Sequence, residues 1–123
     1  MQASFTIDGR MPGLNEYTRA NRNRRWPEGK QMKEDETTRA AWCARGLPKF
    51  RKPVWVTFHW FEPDRGQKRD IDNVAFAKKF ILDGLKLAGV IVDDSPKWVV
   101  GFKDVFSYRD DPHIVVTLSE VDR

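Results

Sequence analysis

The sequence predicts a small α+β domain, a mixed sheet of about four strands packed against two main helices in the order β-α-β-α-β-β. Three observations lead there. Val54–Phe61 is an unbroken run of bulky strand formers behind a proline. Two longer stretches, residues 31–45 and 72–88, carry helical composition or spacing and each ends at a glycine, Gly46 and Gly89. The last quarter alternates apolar and polar residues twice, from Trp98 to Ser107 and from Ile114 to Leu118. A chain of 123 residues suits one such domain, residues 1–123.

In order, Ala3–Ile7 reads as a strand closed by the Asp8-Gly9-Arg10 turn, and Met11–Asn15 breaks regular structure. Asn15–Ala20 starts a short helix, and Arg22–Gly29 reads as an exposed basic loop. The helix over 31–45 has a thin apolar face, Met32, Ala41, Trp42 and Ala44, so it is expected on the surface, packed by its final turn. In the strand that follows, Val54, Val56, Phe58 and Trp60 share one face and Trp55, Thr57, His59 and Phe61 the other, which predicts a central strand covered on both sides. Trp55, Phe58, Trp60 and Phe102 read as core. The helix over 72–88 places Val74, Ala77, Ile81, Leu85 and Ala88 at helical spacing, with Asp72 or Asn73 suited to cap it. Val90-Ile91-Val92 is a short extended segment before the Asp93-Asp94-Ser95-Pro96 turn, and the two final alternating runs read as a hairpin with a longer loop.

Composition narrows the function. The net charge is +4, and basic residues crowd between Arg10 and Lys33, which suits a polyanionic partner. No apolar stretch of ~18 residues is present, so no membrane span is expected, and the N-terminus lacks the features of a secretory leader. A single cysteine, Cys43, rules out an intramolecular disulfide and a zinc site built from several cysteines; it fits a reducing, cytoplasmic setting and reads as a semi-buried packing residue.

The chemistry concentrates in carboxylates. Asp70 and Asp72 are two apart, and in an extended segment such side chains point to one face and can converge on one ion. Asp93-Asp94 follows the next helix; ~17 helical residues span ~25 Å, so Asp94 reaches the first two only if the chain returns or a dimer brings the ends together. Magnesium takes hard oxygen ligands and keeps several waters, a demand that two or three aspartates plus substrate oxygens meet. The alternative structural roles are a helix cap for the first pair and a solvated turn for the second. His59 and His113 read as structural or surface histidines.

Arg69-Asp70-Ile71-Asp72-Asn73, the helix containing Asp83-Gly84-Leu85, and Gly89-Val90-Ile91-Val92-Asp93-Asp94 together resemble the RusA family of Holliday junction resolvases. So does Pro12-Gly13-Leu14-Asn15-Glu16-Tyr17 followed by an arginine-rich stretch. The resemblance spans roughly residues 4–30 and 54–118. It implies a homodimer that binds four-way DNA junctions and cuts them symmetrically in recombination and repair with magnesium or manganese, Asp70, Asp72 and Asp94 being the metal-binding carboxylates and Asp93 a helper. The family lysine one helical turn past the second aspartate is here Phe76. Lys78 and Lys79 follow as if three residues were inserted; helical geometry favours Lys79, whose alternative is an ion pair with Asp83. Arg19, Arg22, Arg24, Arg25, Lys30 and Arg69 are the expected DNA contacts, with Trp26 suited to stack on an unpaired base. The missing lysine keeps open a non-catalytic branched-DNA-binding protein of the same fold, and nucleases of other branched nucleic acids, RNA included, remain a third reading.

Overall fold

The computed structural model describes residues 1–22 and 28–122. The strands are β1 (Gln2–Asp8), β2 (Val54–Pro63), β3 (Val99–Arg109) and β4 (His113–Glu120). The helices are α1 (Leu14–Asn21), α2 (Glu28–Ala44), α3 (Ile71–Ala75) and α4 (Lys78–Leu87). The α+β class and the single mixed four-stranded sheet are as the sequence predicts.

The sheet order is β1-β4-β2-β3, with β2 antiparallel to β4 and parallel to β3. The two last strands are therefore not a hairpin: β2 lies between them. Their linker, residues 110–112, has a physical way across. Strands two places apart are separated by ~10 Å, and three extended residues span about that distance. It crosses near the end of β2, where Asp64 N–H donates to Arg109 O at 3.1 Å. Local alternation marks a strand but not its neighbour.

The core forms on one face of the sheet. Val54, Val56, Phe58 and Trp60 of β2, Phe5 and Ile7 of β1, and Ile114, Val116 and Leu118 of β4 meet Ala40 and Ala44 of α2 and Phe80, Ile81 and Leu85 of α4. The other face is open rather than covered. Trp55 stands there 46% exposed, its ring over Gly101, where an added Cβ would lie 2.3 Å from a ring atom. Farther along this face, His59, Phe61 and His113 stack with centroids 3.9 and 4.1 Å apart, and His59 Nε2 meets Ser107 Oγ at 2.8 Å. Burial first, then the charges of Arg109 and His113, hold the His59 pKa below its usual value. Phe102 is also exposed, at the sheet edge, because β3 has no outer neighbour among the described residues.

Helix α2 begins three residues earlier than the sequence suggests and packs on α4 through Ala40; Trp42 is 64% exposed, with the Arg45 guanidinium over its ring at 3.8 Å, instead of joining the core. Cys43 is half-buried against the core, as expected. The long helix expected over 72–88 is broken. Ala77, Lys79 and Phe80 N–H groups reach back three residues, a tight turn that separates α3 from α4. Val90 and Ile91 do not pair as a strand; they are buried and anchored by hydrogen bonds from Val90 N–H to Leu85 O and from Phe50 N–H to Val90 O.

Gly84 sets the α2–α4 approach. A Cβ there would lie 2.6 Å from Ala40 Cβ and 2.9 Å from the Thr37 carbonyl oxygen. Alanine in an ordinary helix interior is favoured over glycine by about 1 kcal/mol, but overpacking costs about 1–3 kcal/mol. Gly84→Ala is therefore expected to lower the melting temperature, and a rise would show that the helices part freely.

Candidate functional site

Strand β2 delivers an acid into the interior. Glu62 is 6% exposed and holds two guanidinium groups. Arg69 donates Nε to Oε1 at 2.8 Å and Nη2 to Oε2 at 3.0 Å; Arg10 donates Nη2 to Oε1 at 2.8 Å and Nε to Oε2 at 3.2 Å. Arg69 also donates to Met11 O at 3.1 Å and lies 3.5 Å from Glu16, whose other oxygen accepts the Gly13 N–H at 2.8 Å. Burial alone would raise the Glu62 pKa, but hydrogen bonds from Arg69 and then Arg10 outweigh it and hold the carboxyl below its ordinary value. The network ties the β1–α1 connection to the segment entering α3.

That segment presents Asp70. Its backbone is extended at the N-cap position, φ −61° and ψ 145°, and its carbonyl accepts the Val74 N–H, yet its carboxylate makes no capping bond. Asp72 sits within the first turn of α3, also exposed. Neither Asp72 nor Asn73 caps the helix: Asn73 is buried and its Oδ1 accepts the Asn15 N–H at 2.8 Å. Asp70 opens onto a polar cleft of about 310 Å3 with Asn15, Arg19, Gln67, Lys68 and Asn73. Arg19 continues along α1 into a second polar hollow with Thr18 and Arg22.

The third expected carboxylate lies elsewhere. Asp93 and Asp94 follow α4, with Lys86 Nζ at 3.3 and 3.7 Å from them. Lys86 is raised in pKa by Asp93 above all, and Asp93 is lowered by the Asp94 N–H and then by Lys86. Among the described residues, no group of three or more His, Cys, Asp or Glu side chains is placed to share an ion. One chain thus brings Asp70 and Asp72 to one end of α3 and leaves Asp94 paired with Lys86.

The lysines separate clearly. Lys78 Nζ donates to Asp104 Oδ2 at 2.6 Å, and the other oxygen of Asp104 accepts Trp60 Nε1 at 2.9 Å. Lys79 is half-exposed, 3.7 Å from Asp83, and the break before α4 removes the continuous helical face that would aim it back at Asp72. Phe76 packs with Tyr17 and Phe80, ring centroids 5.4 and 5.7 Å away. Of the expected DNA contacts, Arg19, Arg22 and Lys30 are exposed. Arg69 is not: its donors are taken up by Glu62 and Met11, an internal brace. Arg24, Arg25 and Trp26 lie outside the described residues.

Sequence reasoning missed Glu62, Lys68, Gln67 and Asn15 as members of this region. Nothing local marks a strand-terminal glutamate as buried. The signals that were available are the asparagine closing Asp70-Ile71-Asp72-Asn73 and the glycine of Pro12-Gly13, whose two segments meet here. Neither the protein-family models nor the curated proteins with which the chain was compared match it.

The Glu62 carboxyl, lowered below its usual 4.5, stabilises the fold above that pH, and the contribution fades as pH falls through the folded-state value. Glu62→Gln is expected to cost about 3 kcal/mol at neutral pH, because two guanidinium groups lose their counter-charge. It should also flatten the loss of stability below pH 4.5 seen by denaturant titration. An unchanged acid limb would place the acid-sensitive group elsewhere.

Proposed function

We propose that the chain is a metal-dependent endonuclease that cuts branched DNA, four-way junctions foremost. The observation that carries this is the cleft: an exposed carboxylate, Asp70, free of internal hydrogen bonds among the described residues, stands beside the cations Arg19 and Lys68, with Asp72 two residues on. A carboxylate repels a phosphodiester, so a cleft offering both signs suits an anionic substrate and a cation together. Asp70 and Asp72 are the residues that would hold magnesium or manganese; magnesium is commonly bound by one or two carboxylates plus phosphate oxygens and water, so this pair fits it. When bound, the ion supplies charge neutralisation of the phosphate and activation of water. The chain's own part is placement. Arg19 binds and orients the phosphate, Lys68, whose Nζ donates to the Asp64 carbonyl at 3.1 Å, adds charge at the rim, and Arg22 and Lys30 extend the basic surface for the flanking backbone.

Asp94 belongs to this reading through the homodimer that the resemblance implies, in which a second copy brings its Asp94 to the cleft. Mixing Asp70→Asn with Asp94→Asn protein tests that. Shared sites leave each mixed dimer one intact site and restore nicking; sites built within one chain leave none.

A second reading is a branched-DNA-binding protein without catalysis. Phe76 favours it, occupying an aromatic cluster where the family carries a lysine, while Lys78 and Lys79 are paired with Asp104 and Asp83.

A labelled four-way junction and a matched linear duplex, each with magnesium, manganese or chelator, decide between them. Paired, metal-dependent nicks in the junction alone are expected, slowed by about 100-fold or more in Asp70→Asn while junction binding persists. Binding without cutting under every condition would establish the second reading.

A further inference from the structure

We propose that Asn73 is a hydrogen-bond donor for an anionic oxygen of a nucleic-acid backbone, held ready beside Asp70 by the backbone of Asn15. The inference rests on the nucleic-acid reading of the same cleft and adds to it a residue that gives direction, where Arg19 and Lys68 give charge.

Asn73 and Glu62 are the buried polar side chains among the described residues. Buried polar groups are almost always hydrogen-bonded. Glu62 is fully used; Asn73 is half used. Its Oδ1 accepts the Asn15 N–H at 2.8 Å. That bond settles the orientation of the carboxamide, since a backbone N–H can face only the oxygen. The amide nitrogen, with two hydrogens to donate, has no partner among the described residues; it is not sealed in the interior, where Thr37 Oγ1 is the unpartnered side-chain atom, but opens to the cleft that the side chain lines with Asp70 and Arg19.

The seat is built to shape. A Cβ at position 13 would lie 2.5 Å from Asn73 Oδ1 and 2.6 Å from its carbonyl oxygen, so only glycine lets the α1 turn close over the carboxamide. Glu16 holds the Gly13 N–H from the other side. A purely structural clamp needs only the acceptor, which an aspartate would supply equally well. An amide in this position also presents a neutral donor next to Asp70, where another carboxylate would repel a phosphate. Phosphodiester oxygens are acceptors only, and they match it.

Three variants separate donor from clamp. Asn73→Asp keeps shape and acceptor and deletes the donor; Asn73→Ala deletes both; Gln67→Glu adds the same charge to the same cleft and leaves Asn73 alone. Melting temperature and affinity for an uncut four-way junction in chelator are the readouts. Asn73→Asp is expected to melt close to wild type yet bind roughly tenfold more weakly, the scale of one hydrogen bond to a charged group, and more weakly than Gln67→Glu. Asn73→Ala is expected to melt lower. Equal binding by Asn73→Asp and wild type, or by Asn73→Asp and Gln67→Glu, overturns the proposal. If wild type binds no nucleic acid, that reading fails, and titration with dimethyl phosphate, followed through the Asn73 side-chain amide resonances, decides the Asn73 assignment by itself: a saturable shift supports it and no shift overturns it.

Discussion

The Glu62 carboxylate, buried between the guanidinium groups of Arg10 and Arg69, holds together the end of the sheet at which the candidate site lies. Glu62, one residue before the end of β2, lies inside the protein, where an unpaired charge would cost several kcal/mol. Arg69 and Arg10 remove that cost by bidentate contact, and each belongs to a segment that must then come to β2. Arg10 brings the end of the β1 turn. Arg69 brings the approach to α3 and, through Met11 O and Glu16, the start of α1. The β1–α1 connection, distant in sequence, is thereby fixed to the end of β2 and to the approach to α3 at one end of the sheet.

The candidate site is a consequence of that fixing. Asp70 follows Arg69 directly, so the inward commitment of one side chain turns the next outward into the cleft. Asn73 repeats the logic on a smaller scale, joining the first turn of α3 to the start of α1. The buried ion pairs thus decide where the exposed side chains of the cleft can point. By contrast, Asp93 and Asp94 ride on the far end of α4, governed by Lys86 and by the buried anchors Val90 and Ile91. Nothing in the Glu62 network reaches them, which is why one chain does not gather all three aspartates.

The parts of this fold that rest on periodicity were legible in the sequence. β1, β2 and α2, and the apolar face of Ile81 and Leu85, follow from spacing and from the glycines and prolines between them. Asp70 and Asp72 were legible as an exposed acidic pair because the motif carries them. What failed depended on partners. The neighbour of β4 is β2 because a three-residue linker can cross a strand as well as turn a hairpin. Trp55 and Trp42 lie in the open because their sides of β2 and α2 meet no layer, and a ring's hydrophobicity does not say whether one exists. Helix 72–88 breaks at Phe76–Ala77 with neither proline nor glycine to mark the place, as Phe76 joins Tyr17 and Lys78 reaches Asp104. Arg69 reads as a surface cation until the burial of Glu62, seven residues earlier, is known.

The metal-binding role proposed for Asp70 and Asp72 can be read from paramagnetic broadening of the protein's amide resonances by trace manganese, with magnesium as competitor. Broadening centred on residues 69–73 and on Asn15 across the cleft, reversed by magnesium, is expected. Broadening centred on Asp110–Asp111 or another exposed acidic turn, with residues 69–73 untouched, would contradict it.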